Sequence, residues 1–367
     1  MSIENILKNE GISIIRELNR REVATISKDI SCKLCLAFPE QNLSRKKLFN
    51  AFLSIKMYLA TLPRDFSGAK YILENNSIYF NKDLPFEDIP NTAMHECIHF
   101  VQHYNCEKNF GLAEASKSIA FNEAAVQLMA SEANMNPISE VKYFDISLKT
   151  NSPVFYPLEC ALLNQIVYFT GTYPLYNSVL FSNNIFKNTF ITKFNQKMYN
   201  TLINKLNFLL NLESELNSYI EELSYCTKSR DINNLNKIIN YKKQKIMTLF
   251  FQTQNYIIKN CFKYEFNAIR NLESIHEFKN KLYNFKNIMG YNEDYTFYND
   301  FYCSMMNALE AKKEHIKKYG PADLLSKECT DLVVIDTKKS KLNFIKTFYR
   351  KLIELFKSEL NKDYINE

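Results

Sequence analysis

The chain has 367 residues, 46% of them hydrophobic, with 6 glycines and 9 prolines. This length and composition allow a large buried core in one or two packed units, and they exclude collagen-like and disordered chains. The net charge of +6 comes from 46 basic and 40 acidic residues. So dilute a charge argues against a nucleic-acid-binding protein, which requires clustered Lys and Arg.

The N-terminal residues 1–65 are predicted to be a helical segment. Acidic residues begin at Glu4, and no apolar stretch is long enough for the core of a signal peptide, so we expect a cytoplasmic protein. Nine cysteines without regular spacing fit reduced thiols in that compartment. Cys32 and Cys35 form a CxxC pair within a predicted helix, but a second pair at zinc-finger spacing is missing. A zinc-knuckle or redox role is therefore not favoured.

Two short strands are predicted at 70–73 and 77–80, joined by a turn that contains asparagine. The next helix is expected to begin near Asn91 or Thr92, either of which could serve as its N-cap. This helix carries the sequence His-Glu-Cys-Ile-His at 95–99.

The motif at 95–99 has the spacing of a zinc site. Residues four apart on a helix lie on the same face, so His95 and His99 can bind one tetrahedral zinc ion. Glu96 then lies beside the open position of the metal. Apolar neighbours such as Ile98 and Phe100 make the helix amphipathic, as expected of a helix that enters a core. The sequence therefore predicts a metal site rather than a helix with two unrelated histidines.

A third protein ligand is expected on the following helix, which is predicted to run from 112 to about 134. Glu123 is the only charged residue within 119–130, and a carboxylate is rarely buried unless it is paired or bound to a metal. His103 lies roughly 12 Å along the first helix from His95, too far to share the metal.

Other ligand sets are weaker. Glu114 and Glu132 each lie near an end of the second predicted helix, where a charge reaches water. The longer zinc motif HExxHxxGxxH is not present, because Gln102 and Asn105 occupy the glycine position and the last histidine position.

The sequences HECIH at 95–99 and FNEAAVQ at 121–127 resemble the gluzincin metallopeptidases, in which a second helix carries an Asn-Glu pair. They are also similar to intracellular zinc peptidases of low-GC bacteria. The resemblance covers roughly residues 70–134 and implies a zincin-like core with one zinc ion (Zn²⁺) per chain. The implied site consists of three metal ligands and a general base: His95, His99, Glu123 and, as the base, Glu96.

The same resemblance implies supporting roles for other residues. Asn122 and Gln127 would orient the metal ligands, and the strand residues Ile78, Tyr79 and Phe80 would form the edge that holds an extended substrate. Thermolysin-like enzymes have an acid at the position of Gln127, one turn after the ligand glutamate. Here a neutral amide is expected to orient a ligand instead.

The second half of the chain is predicted to be helical. Residues 160–186 carry no charge but too many polar side chains for a membrane span, so they are interpreted as buried core or the lining of a groove. No glycine or proline occurs between Pro174 and Gly290, which predicts at least two long packed helices, the second restarting after 229–231. A further strand is predicted at 331–336.

An amphipathic helix is predicted at 340–360. We expect it to pack on the core of the protein, and contact with a membrane surface is the less favoured alternative. The predicted fold class is α+β and mostly helical, with a zincin-like catalytic core, a small antiparallel or mixed sheet and a long helical lobe. The predicted domains are an N-terminal helical segment (1–65), the catalytic core (66–182), the helical lobe (183–290) and a C-terminal segment (291–367).

The predicted activity is zinc-dependent hydrolysis of a peptide bond in a peptide or protein substrate. Zinc would activate water and polarise the carbonyl, while Glu96 takes the proton and passes it to the leaving amine. The donor that stabilises the oxyanion is left open among four tyrosines: Tyr156, Tyr168, Tyr173 and Tyr176. Three alternatives also stay open: a narrow-specificity regulator similar to zinc peptidases that cleave phage-type repressors, a toxin-like effector that acts in another cell, and a non-catalytic binding protein.

Overall fold

The computed structural model describes residues 3–63, 68–105, 111–112, 117–289 and 296–320. The described residues form two compact units: the first lies within 3–264 and 284–289, and the second within 265–283 and 296–320. The predicted strand at 331–336 and the predicted helix at 340–360 lie outside the described residues.

The described part of the chain is mostly helical, as predicted. The helices are α1 (Ile3–Asn9), α2 (Arg20–Ala37), α3 (Arg45–Phe52), α4 (Ile89–Asn105), α5 (Ile119–Ala133), α6 (Pro157–Thr170), α7 (Thr172–Phe181), α8 (Ile185–Lys193), α9 (Gln196–Tyr225), α10 (Ser229–Ala268), α11 (Leu272–Ile288) and α12 (Thr296–Tyr319). The strands are β1 (Ser13–Glu17), β2 (Lys56–Thr61), β3 (Ala69–Ile72), β4 (Ser77–Asn81), β5 (Ser139–Tyr143) and β6 (Ile146–Thr150).

The first four strands form a mixed sheet in the order β1-β2-β4-β3, and β5 pairs with β6 in a separate hairpin. β2 runs parallel to β4, whereas the β1–β2 and β3–β4 pairs are antiparallel. The predicted strand pair before the first site helix is confirmed as β3 and β4. Asn76 takes the left-handed turn position between them at φ 51°, a conformation that Asn tolerates better than most residues.

Two predictions about the sheet are wrong. Residues 1–65 are not wholly helical, because they also contain β1 and β2. The residues predicted as an edge strand, Ile78, Tyr79 and Phe80, lie on β4, which is paired with β2 on one side and β3 on the other. The edge strand on this side of the sheet is β3. Sequence spacing located the two strands but not which of them lies outermost.

Helix α4 starts earlier than predicted. A 3₁₀ turn at Phe86–Asp88 leads directly into it, so Asn91 and Thr92 lie inside its first turn and neither is the N-cap. Pro90 is compatible with this start, because the first turn of a helix does not use its N–H groups. The apolar face of α4 is buried, as predicted from its amphipathic pattern.

Helix α5 starts later than predicted, at Ile119 instead of near Leu112. Side chains bind both main-chain groups of Leu112: the Ser118 hydroxyl donates to its carbonyl at 2.6 Å, and Asn122 Oδ1 accepts its N–H at 3.0 Å. These bonds hold Leu112 in a turn instead of a helix. From Ala120 onward most of α5 is buried, which makes it a central helix of the first unit.

The uncharged stretch at 160–186 is largely buried in α6 and α7, in agreement with its interpretation as core. Within the described ranges, no helix is both long and apolar enough to cross a membrane. The two long helices predicted from the absence of glycine and proline are α9 and α10, and α10 starts at Ser229. Cys32 and Cys35 lie on α2 as free thiols.

Candidate metal centre

Helices α4 and α5 pack against each other and bring three predicted ligands together. His95 and His99 lie one turn apart on α4, and their Nε2 atoms are 3.0 Å apart. Glu123 on α5 points one carboxylate oxygen at both, with Oε2 at 3.3 Å from each Nε2. These three side chains form a group that could hold a metal ion.

Amide oxygens orient both imidazoles. His95 Nδ1 contacts Gln127 Oε1 at 2.9 Å, and His99 Nδ1 contacts Gln102 Oε1 at 3.0 Å. Because an amide oxygen only accepts hydrogen bonds, each Nδ1 must carry the proton, and each Nε2 then carries a lone pair. The lone pairs point at one another and at the Glu123 carboxylate.

This donor set fits a bound cation. Two nitrogen lone pairs and a carboxylate oxygen that face each other at 3.0–3.3 Å repel unless positive charge lies among them. Burial opposes protonation of His99, but the charge of Glu123 outweighs it and raises the pKa of His99 to about 9. Burial likewise favours the neutral form of Glu123, but both histidines outweigh it and hold the Glu123 pKa well below its usual range. The site therefore favours positive charge at its centre.

Glu96 lies in the same cleft but not in the three-residue metal group. Its Oε2 accepts the main-chain N–H of Tyr71, on β3, at 2.7 Å. The N–H of Asn81 on β4 donates to the Gly68 carbonyl, so these two residues form a hydrogen-bonded pair. Hydrogen-bonded and non-hydrogen-bonded pairs alternate along antiparallel strands. The main-chain N–H and C=O groups of Ala69 and Tyr71 therefore point away from β4. The outer edge of β3 thus faces the cleft beside Glu96.

The cleft has a volume of about 740 Å³. Large apolar side chains contribute much of its wall: Leu73, Ile119, Val154, Phe155 and Leu210. Tyr156 also lines it, and its ring stacks on that of His95, with centroids 6.2 Å apart and an angle of 21° between the planes. Burial, followed by the nearby charges of Glu123 and Glu96, raises the pKa of Tyr156, so its hydroxyl remains a proton donor.

The other predicted residues have different positions. Asn122 reaches His99 only through Gln102, whose Nε2 donates to Asn122 Oδ1 at 2.9 Å. His103 contacts the Tyr71 hydroxyl at 3.3 Å, and Glu132 accepts a hydrogen bond from Tyr176 at 2.6 Å. Neither belongs to the metal group. Glu114, the remaining acid considered as a ligand, lies outside the described residues. The strand residues Ile78, Tyr79 and Phe80 do not line the cleft.

Three contributors were missed or left unselected. Gln102 lies three residues after His99 on one helix face, a spacing that could have identified it. Tyr71 contributes a main-chain group, for which the sequence carries no signal. Tyr156 was one of four candidates. Tyr173 also directly precedes a proline, so the sequence did not single out Tyr156, and its place in the cleft is what separates it from the others.

The comparisons with known proteins give no family: no family model, no curated protein and no solved structure matches this chain. The functional assignment therefore depends on the geometry of the site.

Proposed function

We propose that the protein is a zinc-dependent peptidase that hydrolyses peptide bonds with Glu96 as general base. The observation that supports this most strongly is the convergence of the donor atoms of His95, His99 and Glu123 within one cleft, with Glu96 beside them. Two imidazoles and one carboxylate, with a position left for water, form a ligand set of catalytic zinc. A zinc ion bound there would supply Lewis acidity and lower the pKa of water.

The chain's own residues supply the proton transfers. The Tyr71 N–H holds one oxygen of Glu96 and so fixes the plane of the carboxylate. We assign the other oxygen to accept a proton from water and return it to the leaving amine. Because Glu96 is held by a strand rather than facing the two Nε2 atoms, its proposed role is that of a base and not a ligand.

Tyr156 is the proposed donor to the developing oxyanion. Its ring is fixed against His95, and its hydroxyl stays protonated because burial and neighbouring carboxylates raise its pKa. A donor held in place before the reaction needs little reorganisation when charge develops. Tyr176 is less suitable, since it does not line the cleft and its hydroxyl donates to Glu132, outside the metal group.

The proposed substrate is an extended segment of a peptide or protein. The outer edge of β3 offers main-chain groups of Ala69 and Tyr71 to a strand-like segment, as in other proteins that bind peptides by strand addition. The apolar wall of the cleft favours substrates with apolar side chains near the cleaved bond. We place this activity in the cytoplasm, a proposal supported by reduced cysteines such as Cys97 and Cys160.

The test combines metal analysis with hydrolysis of a peptide library by the purified full chain. The parent should contain one zinc per chain and cleave peptides. Glu96→Gln should keep the zinc and lose activity by about 10²- to 10⁴-fold. Glu132→Gln, on α5 but outside the metal group, is the matched control and should retain activity. Absence of bound zinc would contradict the proposal, and zinc without any hydrolysis would favour a non-catalytic binding protein.

A further inference from the structure

We propose that Gln102 is a positioning residue that fixes the metal-binding tautomer of His99, through a hydrogen-bond relay that starts at the main-chain N–H of Leu112. This inference rests on the metal site of the proposed function. The relay runs from Leu112 N–H to Asn122, from Gln102 to the same oxygen of Asn122, and from His99 to Gln102.

The direction of every bond in the relay follows from its first member. A main-chain N–H can only donate, so the Asn122 atom that faces Leu112 at 3.0 Å must be the oxygen. The same oxygen lies 2.9 Å from Gln102, which must therefore present its NH₂ group. The oxygen of Gln102 then faces His99 Nδ1 at 3.0 Å and requires a proton there. Nε2 of His99 is left with its lone pair toward the metal position.

The relay behind His95 lacks such an anchor. Gln127 Oε1 accepts from His95 Nδ1, and Gln127 Nε2 faces the Ser131 hydroxyl at 3.1 Å. A hydroxyl can donate or accept, so Ser131 does not force one orientation on the Gln127 amide. The tautomer of His99 is therefore fixed more firmly than that of His95, although both histidines contact an amide.

Close packing prevents Gln102 and Asn122 from moving. Gln102 is fully buried, and its main-chain carbonyl accepts the Ser182 hydroxyl at 2.8 Å. Gly111 donates its N–H to the same hydroxyl at 2.9 Å. A Cβ atom at Gly111 would lie 2.1 Å from Gln102 Nε2 and 2.4 Å from Asn122 Oδ1, so only glycine fits against the pair. Its φ of 58° also favours glycine.

The experiment measures metal affinity and not hydrolysis. Zinc affinity of the full chain is determined by competition with a chromophoric chelator, and cobalt(II) absorption reports the ligand geometry. Gln102→Leu removes the acceptor at His99 and should weaken zinc binding by about 10- to 100-fold. The matched control is Gln165→Leu, which replaces another fully buried glutamine, on α6, and should leave zinc affinity unchanged.

A second pair of variants tests the relay in a chain that retains Gln102. Asn122→Asp keeps an oxygen for both Leu112 and Gln102 but loses the longer bond that Asn122 Nδ2 donates to Gln102 Oε1 at 3.4 Å, so it should bind zinc more tightly than Asn122→Leu. Asn122→Leu leaves the Gln102 amide free to rotate and should weaken zinc binding, with altered cobalt absorption. Gln127→Leu should have a smaller effect than Gln102→Leu.

The outcomes separate this inference from the proposed function. If the parent binds neither zinc nor cobalt, the metal site itself is wrong. If the parent binds zinc and both Gln102→Leu and Asn122→Leu bind it equally tightly, the relay is wrong while the metal site stands. Should Gln102→Leu fail to fold, equal zinc affinities for Asn122→Asp and Asn122→Leu would overturn the relay by themselves.

Discussion

The first compact unit contains two buried polar clusters with carboxyl groups, and the two clusters have opposite effects on the charge of these groups. In the metal centre, Glu123 faces two imidazole nitrogens. In the second cluster, Glu159 on α6 is fully buried near the charge of Glu213 on α9. Both oxygens of Glu159 and one of Glu213 are buried, and the two carboxyl groups interact with each other. The second cluster has one evident donor, the Tyr143 hydroxyl, which donates to Glu213 at 3.3 Å.

The partners, and not the depth of burial, decide the charge of each acid. At Glu123 the two histidines outweigh burial and lower the pKa. Burial raises the pKa of Glu159 to about 7, and burial together with the charge of Glu159 raises that of Glu213. A buried acid is thus kept ionised where it meets positive charge and is kept neutral where it does not. Only the first cluster suits a cation.

The largest expected effect breaks the metal centre. Glu123→Gln replaces the charged ligand by a neutral amide, so zinc affinity should fall by at least about 10²-fold, and the stability gained from bound zinc should fall with it. Chelator competition measures the affinity. Glu132→Gln on the same helix should bind zinc as the parent does, and equal losses in the two variants would contradict the assignment of Glu123.

The comparison also explains how far the site could be predicted from the sequence. His95, Glu96 and His99 were recognisable because their spacing fixes one helix face. Glu123 was chosen as a lone charge in an apolar helix, but Glu159 fits the same description in α6. Sequence pattern alone therefore does not separate a metal ligand from an acid that is kept neutral. The packing of α4 on α5 makes that distinction.

Helices and strands that depend on local sequence signals could be predicted. Pairing between strands that are far apart in the chain could not. The absence of glycine and proline identified α9 and α10, and two short apolar runs joined by an asparagine turn identified β3 and β4. β1 was missed because all five of its residues are exposed, and its place in the sheet depends on β2, more than forty residues away along the chain. The relay through Gln102 was missed for the same reason, since Asn122 lies on a different helix.

A second prediction concerns Tyr156, which is close to both clusters: the charges of Glu123, Glu96 and Glu159 all act on its hydroxyl. Tyr156→Phe keeps the ring that stacks on His95 and removes only the hydroxyl. We expect kcat of the zinc-saturated enzyme for peptide hydrolysis to fall by about 10²-fold, as for the loss of one oxyanion donor. Steady-state kinetics on a peptide substrate measure the effect.

Tyr176→Phe is the control for that experiment, because it removes a hydroxyl bound to Glu132 outside the metal group. Its kcat should remain close to that of the parent. A Tyr156→Phe variant that retains full kcat would remove Tyr156 from the proposed mechanism.

The third prediction tests the second cluster through pH. The ordinary pKa of 4.5 applies to Glu159 in the unfolded chain, and about 7 applies in the folded protein. Between these two pH values the folded protein binds more protons than the unfolded chain does. The free energy of unfolding therefore falls as pH rises from about 4.5 to about 7. Glu159→Gln is neutral at every pH and should raise the free energy of unfolding on the order of 1–3 kcal/mol at about pH 8, with little effect near pH 4.

Urea unfolding of the zinc-free protein across this pH range measures the difference. In contrast, Glu132→Gln retains an oxygen that can accept from Tyr176 and should not raise stability at high pH. A Glu159→Gln variant with the parent's pH dependence would show that Glu159 is not the acid responsible.

The smallest expected effect concerns the one evident donor of the second cluster. The Tyr143 hydroxyl stabilises ionised Glu213 and lowers its pKa against the larger, opposing effects of burial and of Glu159. Tyr143→Phe should therefore lower the free energy of unfolding by about 1 kcal/mol at neutral pH, the usual contribution of one hydrogen bond. The loss should change little between neutral pH and acid, because the raised pKa of Glu213 keeps this acid protonated at both. In a Glu213→Leu background the acceptor is gone, so Tyr143→Phe should have almost no effect. A double-mutant cycle in urea measures the coupling, and equal losses in both backgrounds would mean that Tyr143 acts through packing and not through Glu213.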